Sequence, residues 1–463
     1  MKGEDSRLFK KQNIDSVLNN GNEDKKRTLK TLDLILLTIG AVIGTGVLVL
    51  PGLVAATEAG PSVVLSYTMG GIAAIFIVLC YSEFAASIPA AGGSYSYIYI
   101  CMGRVFSIIT FVSVLFGYIL ILGFVSNGWA SYFNTFLSIF NLHLPAIIIH
   151  IPGEGGVVNL PAIVVALSMT WLLTRGTSES KWVNNLMVII KLAVILLFII
   201  VGLFYMKPSN ISDFFPMGFS GTALGASTVF LAYTGFDITA SAAEETIDPQ
   251  KTLPKALILS IVIATIIYAV VSIVLVLMVP YNELNQPDAL SYALLKVGQY
   301  IPAGLLSLGA IIGILAIIFA SCFGCSRILA SGAKDGFVPK VFDKHNKKGA
   351  PEVSLWTIGI IGALLGGFVN INILTNASVL ALLFVYLLVC VGIIIFRYTH
   401  PNVKREFKTP LVPLVPILGI LSCGYLMFQQ DLSAWLYFII GVGGISIILI
   451  IYTLLKKGKE AKA

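Results

Sequence analysis

At 463 residues the chain is 57% hydrophobic and only 11% charged, whereas a soluble globular domain is about a quarter charged. That composition excludes a soluble domain and points to a polytopic membrane protein. The net charge of +7 gives no nucleic-acid reading, because the basic residues are spread over short connections instead of forming one patch.

Residues 1–31 are polar, with no apolar core and no small-residue cleavage site, so they are expected to form a cytosolic tail and not a signal peptide. Runs of about 20 apolar residues, each enough to cross a hydrocarbon layer about 30 Å thick, follow at 32–56, 62–87, 105–139, 158–175, 183–206, 222–246, 254–279, 302–331, 353–371, 376–397, 411–430 and 434–456. The runs are apolar on every side and do not alternate, which predicts helices and not barrel strands. The expected fold class is therefore an all-α integral membrane protein of twelve transmembrane helices, with 457–463 as a second cytosolic tail. With the N-terminus in the cytosol, 27 of the 30 Lys and Arg residues fall in the tails and in the connections of one side. The opposite side holds only Lys207 and Lys296, the asymmetry that sets orientation. Both termini are thus expected in the cytoplasm, with the chain in the plasma membrane.

The first span is interrupted in "GAVIGTGVLVLPG". Gly40 and Gly44 are spaced for close helix packing, but Gly44-Thr45-Gly46 also places weak helix formers and a backbone-competing hydroxyl in succession, and Pro51-Gly52 follows. A second interruption, Thr234-Gly235-Phe236, falls in the sixth span. Paired breaks in corresponding positions of two halves point to a secondary transporter with inverted repeats. Residues 32–206 and 222–397 are the expected repeats of five spans each, with 411–456 as two extra C-terminal spans. Unwound backbone in a membrane must be buried or line a polar cavity. Amides near Thr45 and Gly46 suit a carboxylate, and carbonyls near Val42, Ile43, Leu231, Ala232 and Thr234 suit an ammonium group. A molecule that carries both groups adjacently is an α-amino acid.

At these residues the chain resembles the amino acid/polyamine/organocation transporter superfamily, most closely its bacterial members similar to cationic amino acid transporters. The resemblance is carried by "GAVIGTGVLVLPG", "YSEFAASIPAAGGSYSYIY", "WVNNLMVIIKLAVILLFIIVG", "FLAYTGFDITASAAEETIDPQKTLPKA" and "GCSRILASGAKDGFVPKVF". It implies a five-plus-five inverted repeat with discontinuous helices 1 and 6. It also implies that Thr45 and Gly46 receive the substrate carboxylate and that carbonyls around Val42, Leu231, Ala232 and Thr234 receive the amine. Lys191 matches the position where a lysine in span 5 takes the place of a sodium ion and links transport to protons. The cationic group carries a glutamate in span 3 where this chain has Gly117, which makes Gly117 a candidate specificity position. No cofactor or metal is implied.

Lys191 lies about 12 Å into its span if that span begins near Val183. It reads either as a lysine that snorkels to the surface or as a desolvated amine that exchanges a proton as gates alternate. Protonated, it would hold the unwound carbonyls of span 1 or a polar residue of span 8 such as Ser321. Asp237 reads as a cap for the second half of span 6 or as a further titratable group. Glu83, Glu244 and Glu245 read as ordinary interfacial charges or as an inner gate pairing with Arg104 or nearby lysines. Tyr95, Tyr97 and Tyr99 suit an interfacial belt. Tyr233 either lines the site or packs behind it, and Trp129 reads as packing. Cys322 and Cys325 share a run with no second pair, and the four histidines, His143, His150, His345 and His400, lie at or outside span ends, so these read as packing thiols and solvent-side histidines. No nucleophile and base constellation supports an enzyme, and a channel has no use for asymmetric half-helices. A proton-coupled amino acid importer, an exchanger on the same site and a transporter-like sensor remain, and whether an accessory subunit binds is open.

Overall fold

A computed structural model describes residues 30–88, 93–175, 181–240, 246–347, 349–403 and 405–460. Among these residues the regular structure is helical, and the β-type pairing is an isolated bridge between Pro152 and Gly156 in a connection. Seven helical stretches are long and apolar enough to cross a bilayer: Leu50–Ser87, Arg104–Ile139, Leu186–Leu203, Gln250–Met278, Tyr300–Lys334, Ile371–Thr399 and Leu432–Leu455. Shorter apolar helices cover Thr31–Val42, Leu160–Thr174, Glu352–Phe368 and Leu414–Phe428.

In chain order we label the helices α1 (Thr31–Val42), α2 (Thr45–Leu48), α3 (Leu50–Val54), α4 (Val63–Ser87), α5 (Ser94–Met102), α6 (Arg104–Ile139), α7 (Leu160–Thr174), α8 (Lys181–Leu203), α9 (Gly218–Val229), α10 (Phe236–Ala240), α11 (Pro249–Met278), α12 (Ala289–Lys296), α13 (Tyr300–Lys334), α14 (Glu352–Phe368), α15 (Ile371–Thr399), α16 (Leu414–Phe428), α17 (Leu432–Phe438) and α18 (Gly444–Glu460). The centre is built by α6, which packs on α13, α14 and α15, and by α11, which packs on α1 and α4. Peripheral helices turn apolar side chains outward, among them Ile439, Ile440, Ile447 and Ile448. That inversion is what a hydrocarbon solvent favours.

Hydroxyls inside these helices are satisfied locally. Thr38, Ser126, Thr170 and Ser260 each donate to the carbonyl four residues back, at 2.7 to 2.8 Å, so a buried Ser or Thr here does not by itself mark a site. The connection after α4 departs from the expected interfacial belt. It folds as α5, and Tyr95 and Tyr97 are buried, with Tyr97 stacked on Phe84 at 5.0 Å. An amphipathic ring serves a protein interior as readily as an interface once its neighbours are aromatic.

Candidate substrate site at two broken helices

Helix α1 ends at Val42, Ile43 is extended (φ −76°, ψ 100°), and helix resumes at Thr45. A helix end leaves its last four carbonyls without intrahelical donors, so their partners identify what the break is built from. Ile39 O accepts from the Ile43 amide at 2.8 Å. Gly40 O accepts from Lys191 Nζ at 2.9 Å. Val42 O accepts from the Tyr268 hydroxyl at 2.9 Å. The helix breaks again at Val49, ahead of Pro51, and there Gly46 O and Leu48 O accept from Tyr67 and Tyr132, both at 2.6 Å.

The second break opposes the first. A 3-10 turn, Phe230–Tyr233, leads to extended Thr234 and then to Gly235 at φ +108°, a conformation that favours glycine. A Cβ on Gly235 would also lie 3.2 Å from Ala41 O, so the backbones of the two broken segments approach each other directly. Gly46 makes the same approach from the other segment, since a Cβ there would fall 2.5 Å from the Cα of Ala232. Tyr268, in mid-α11, joins the pair: its hydroxyl lies 2.8 Å from Ala232 O as well as 2.9 Å from Val42 O. Leu231 O is held within its own segment by the Thr234 amide and hydroxyl, at 3.2 and 2.8 Å. Thr45 is 6% exposed. Among the described residues the Thr45 and Gly46 amides find no acceptor.

Of the carbonyls expected to be free, those of Val42, Leu231 and Ala232 are thus occupied, and Tyr268, which holds two of them, carries no sequence signal. Tyr67, Tyr132 and Tyr268 each place a phenol within an apolar span. A hydroxyl there needs an acceptor, and an unbroken helix offers few. Lys191 is 0% exposed, so it does not snorkel, and its stem lies against Gly313 of α13, where a Cβ would come within 2.9 Å of its Cε.

The roles expected of Glu83 and Gly117 need correction. Glu83 does not pair with Arg104. It is fully buried and accepts from Arg397 Nε and Nη2 at 2.9 and 2.7 Å and from the Thr409 amide at 2.8 Å, with Arg405 Nε at 3.3 Å. Arg104 instead reaches the Asp335 carbonyl at 3.5 Å and covers the Phe337 ring. Glu83 therefore ties α4 to the end of α15 and the connection beyond it. Gly117 opens no pocket of its own, because a Cβ there would lie 2.9 Å from Leu382 Cγ and 3.6 Å from Ala381 Cβ, so α15 occupies the space. Asp237 is the second residue of α10, two places inside the cap position, and its Oδ1 accepts from the Tyr118 hydroxyl at 2.5 Å. Tyr233 packs behind the break, donating to Tyr67 O at 2.7 Å. Trp129 stacks on Phe133 at 4.9 Å. Cys322 and Cys325 are buried, unpaired thiols, and among the described residues no cluster of three or more His, Cys, Asp or Glu residues is placed to hold a metal. Glu244 and Glu245 lie outside the described residues.

Two interrupted helices, their polar backbone gathered at the middle of an apolar bundle, make this a solute carrier of the membrane, since such backbone is tolerated where it meets protein or a polar solute. Residues 29–455 match the amino acid permease family model. The chain belongs to that family and is a multi-pass membrane protein. It is 39% identical to the methylthioribose transporter of Bacillus subtilis over 97% of this chain and 98% of the relative. It is also 39% identical to the branched-chain amino acid permease BcaP of the same organism, over 91% and 92%. Cationic amino acid transporter 1 of Arabidopsis thaliana is 31% identical over 94% of this chain and 74% of its own length.

Proposed function

We propose that the chain is a secondary active importer of L-amino acids in the plasma membrane, with both termini cytoplasmic, coupled to protons and working by alternating access. In this reading twelve spans form a five-plus-five inverted repeat and two extra helices. Span 1 comprises α1 to α3, span 6 comprises α9, the 3-10 turn and α10, and the substrate backbone lies between their breaks. The carboxylate is received by the Thr45 and Gly46 amides. The ammonium group is received by the Val42 and Ala232 carbonyls, in exchange for the Tyr268 hydroxyl, with Ile43, Gly44, Leu231, Thr234 and Gly235 lining the approach.

The observation that carries the reading is that one hydroxyl joins carbonyls of both breaks, 2.9 and 2.8 Å away, beside amides that have no acceptor among the described residues. Donor and acceptor groups of opposite polarity side by side are complementary to a zwitterion. The side chain of the substrate is uncharged and apolar. Leu382 fills the place beside Gly117, and span 3 supplies no carboxylate to a cationic substrate. The branched-chain permease among the relatives agrees with this. A second reading, favoured by the methylthioribose transporter of equal identity, is a neutral thioether sugar with no ammonium group.

Competition in proteoliposomes tests both. Uptake of labelled leucine or isoleucine that unlabelled neutral amino acids block, and that lysine, arginine and methylthioribose do not, is the expected result. Competition by methylthioribose alone removes the amino acid assignment. Uptake that requires amino acid preloaded inside replaces import with exchange.

A further inference from the structure

Between the spans assigned to the outer side only Lys207 and Lys296 carry positive charge. They come from separate connections, yet the structure brings both to one cavity of about 360 Å³, where they and Tyr205 form the polar wall and Met278, Val279 and Val297 the apolar one. Three segments meet there, at the ends of α8, α11 and α12. Twelve residues of α8, about 18 Å of rise, separate Lys191 from Leu203, so along that axis the cavity stands well away from the contact of Lys191 with Gly40 O.

The cavity is built and not merely lined. The Lys207 amide donates to Leu277 O at 2.8 Å, and Asn210 Nδ2 donates to the same carbonyl at 2.9 Å, which pins the chain after α8 to the end of α11. Gln299 Nε2 donates to the Tyr205 oxygen at 2.6 Å. Because Tyr205 accepts there, its own hydroxyl hydrogen is left over, and among the described residues it finds no acceptor. Lys296 is paired with Glu283, while Lys207 makes no ion pair among the described residues. The local charge is therefore one positive unit.

Exposed, largely apolar side chains stand close in the chain to these lining residues, before Tyr205 and after Val297. Leu203 and Phe204 are 55% and 82% exposed, and Tyr300 and Ile301 are 65% and 78% exposed. A cationic recess bordered by lipid-facing hydrocarbon takes a molecule with one negative head and apolar tails.

We propose that Lys207, Lys296 and the Tyr205 hydroxyl hold the phosphodiester of a glycerophospholipid of net charge minus one, drawn from the adjacent leaflet. Each lysine near a membrane surface is worth about a fivefold change in binding of an anionic lipid. The inference rests on the membrane placement of the chain and not on the substrate reading.

Native mass spectrometry and thermal unfolding of the full chain in neutral detergent test it, with phosphatidylglycerol, phosphatidylcholine and inorganic phosphate added separately. One phosphatidylglycerol is expected to bind and raise the melting temperature. Lys207→Ala weakens that binding about fivefold, Lys207→Arg retains it, and Glu283→Gln tightens it about fivefold by releasing Lys296. The last variant separates recognition from stability, because removing an ion-pair partner has no structural reason to improve lipid retention. The proposal falls if phosphatidylglycerol binding is indifferent to Lys207→Ala and Glu283→Gln, or if phosphatidylcholine binds equally well. It falls too if inorganic phosphate alone gives the same protection, which makes the site one for a free anion. Amino acid uptake by Lys207→Ala in phosphatidylcholine vesicles, measured in parallel, keeps this outcome separate from the fate of the substrate assignment.

Discussion

Tyr268→Phe removes one oxygen and leaves the ring, which packs 5.2 Å from the Tyr67 ring and 5.3 Å from the Tyr233 ring. The deleted hydroxyl serves Val42 O and Ala232 O together. A buried carbonyl left without a donor costs about 1–3 kcal/mol, and since a single hydrogen is shared by the two acceptors, the expected loss is about 1–2 kcal/mol in total. The same quantity has a second consequence. If a substrate ammonium replaces that hydroxyl on the two carbonyls, the variant no longer loses a hydrogen bond on binding. Amino acid affinity then rises about 5- to 30-fold, the equivalent of 1–2 kcal/mol. An α-hydroxy acid analogue, which has no ammonium group, does not share the gain in full. Thermal unfolding and calorimetric titration of the purified variant measure both effects, and slower release should lower turnover. Stability that falls while affinity for the amino acid also falls, or a gain equal for both ligands, would refute the assignment of these carbonyls to the amine.

Gly46→Ala places a methyl group 2.5 Å from the Ala232 Cα; uptake is expected to disappear and stability to drop by about 1–3 kcal/mol, and normal uptake per folded molecule would show that the close approach is dispensable. Glu83→Gln leaves Arg397 and Arg405 without their buried carboxylate, a loss of about 3–5 kcal/mol read from thermal unfolding; uptake per folded molecule stays unchanged if Glu83 is a tie and not a gate. Asp288, outside the spans at the start of α12, accepts from the Thr135 hydroxyl, and burial pushes its pKa up. The native state then holds this proton more tightly than the unfolded chain, so the stabilisation is complete below the ordinary carboxylate pKa and is lost as pH rises through the raised native value. Asp288→Asn should flatten that decline in a pH series of melting temperatures, and a wild-type curve that rises over the same window would contradict it.

The sequence reading located the interruptions within a residue or two, because glycine and a backbone-competing hydroxyl act locally. Helix ends at Val42 and resumes at Thr45, and Gly235 adopts a positive φ. The position of Lys191 within an apolar run left two fates open, snorkelling or burial, and its full burial follows from the packing of α8 against α13. What closes the breaks was not legible. Tyr268 lies in the apolar part of α11, and its partners lie 226 and 36 positions away. The partner of Glu83 lies 314 positions on, where proximity in sequence suggested Arg104. Gly117 lacks an expected acid, but whether a missing side chain leaves space or admits a neighbour depends on the packing of α15, which the residues of span 3 do not encode.

Coupling to protons, as proposed above, would act through the bond from Lys191 Nζ to Gly40 O at the end of the broken first helix. It is tested most directly by amino acid accumulation in sodium-free proteoliposomes under an imposed inward proton gradient, with Lys191→Ala beside the wild type. Gradient-driven accumulation is expected to vanish in the variant while substrate binding or exchange survives. Accumulation that follows the gradient equally in both proteins would contradict it.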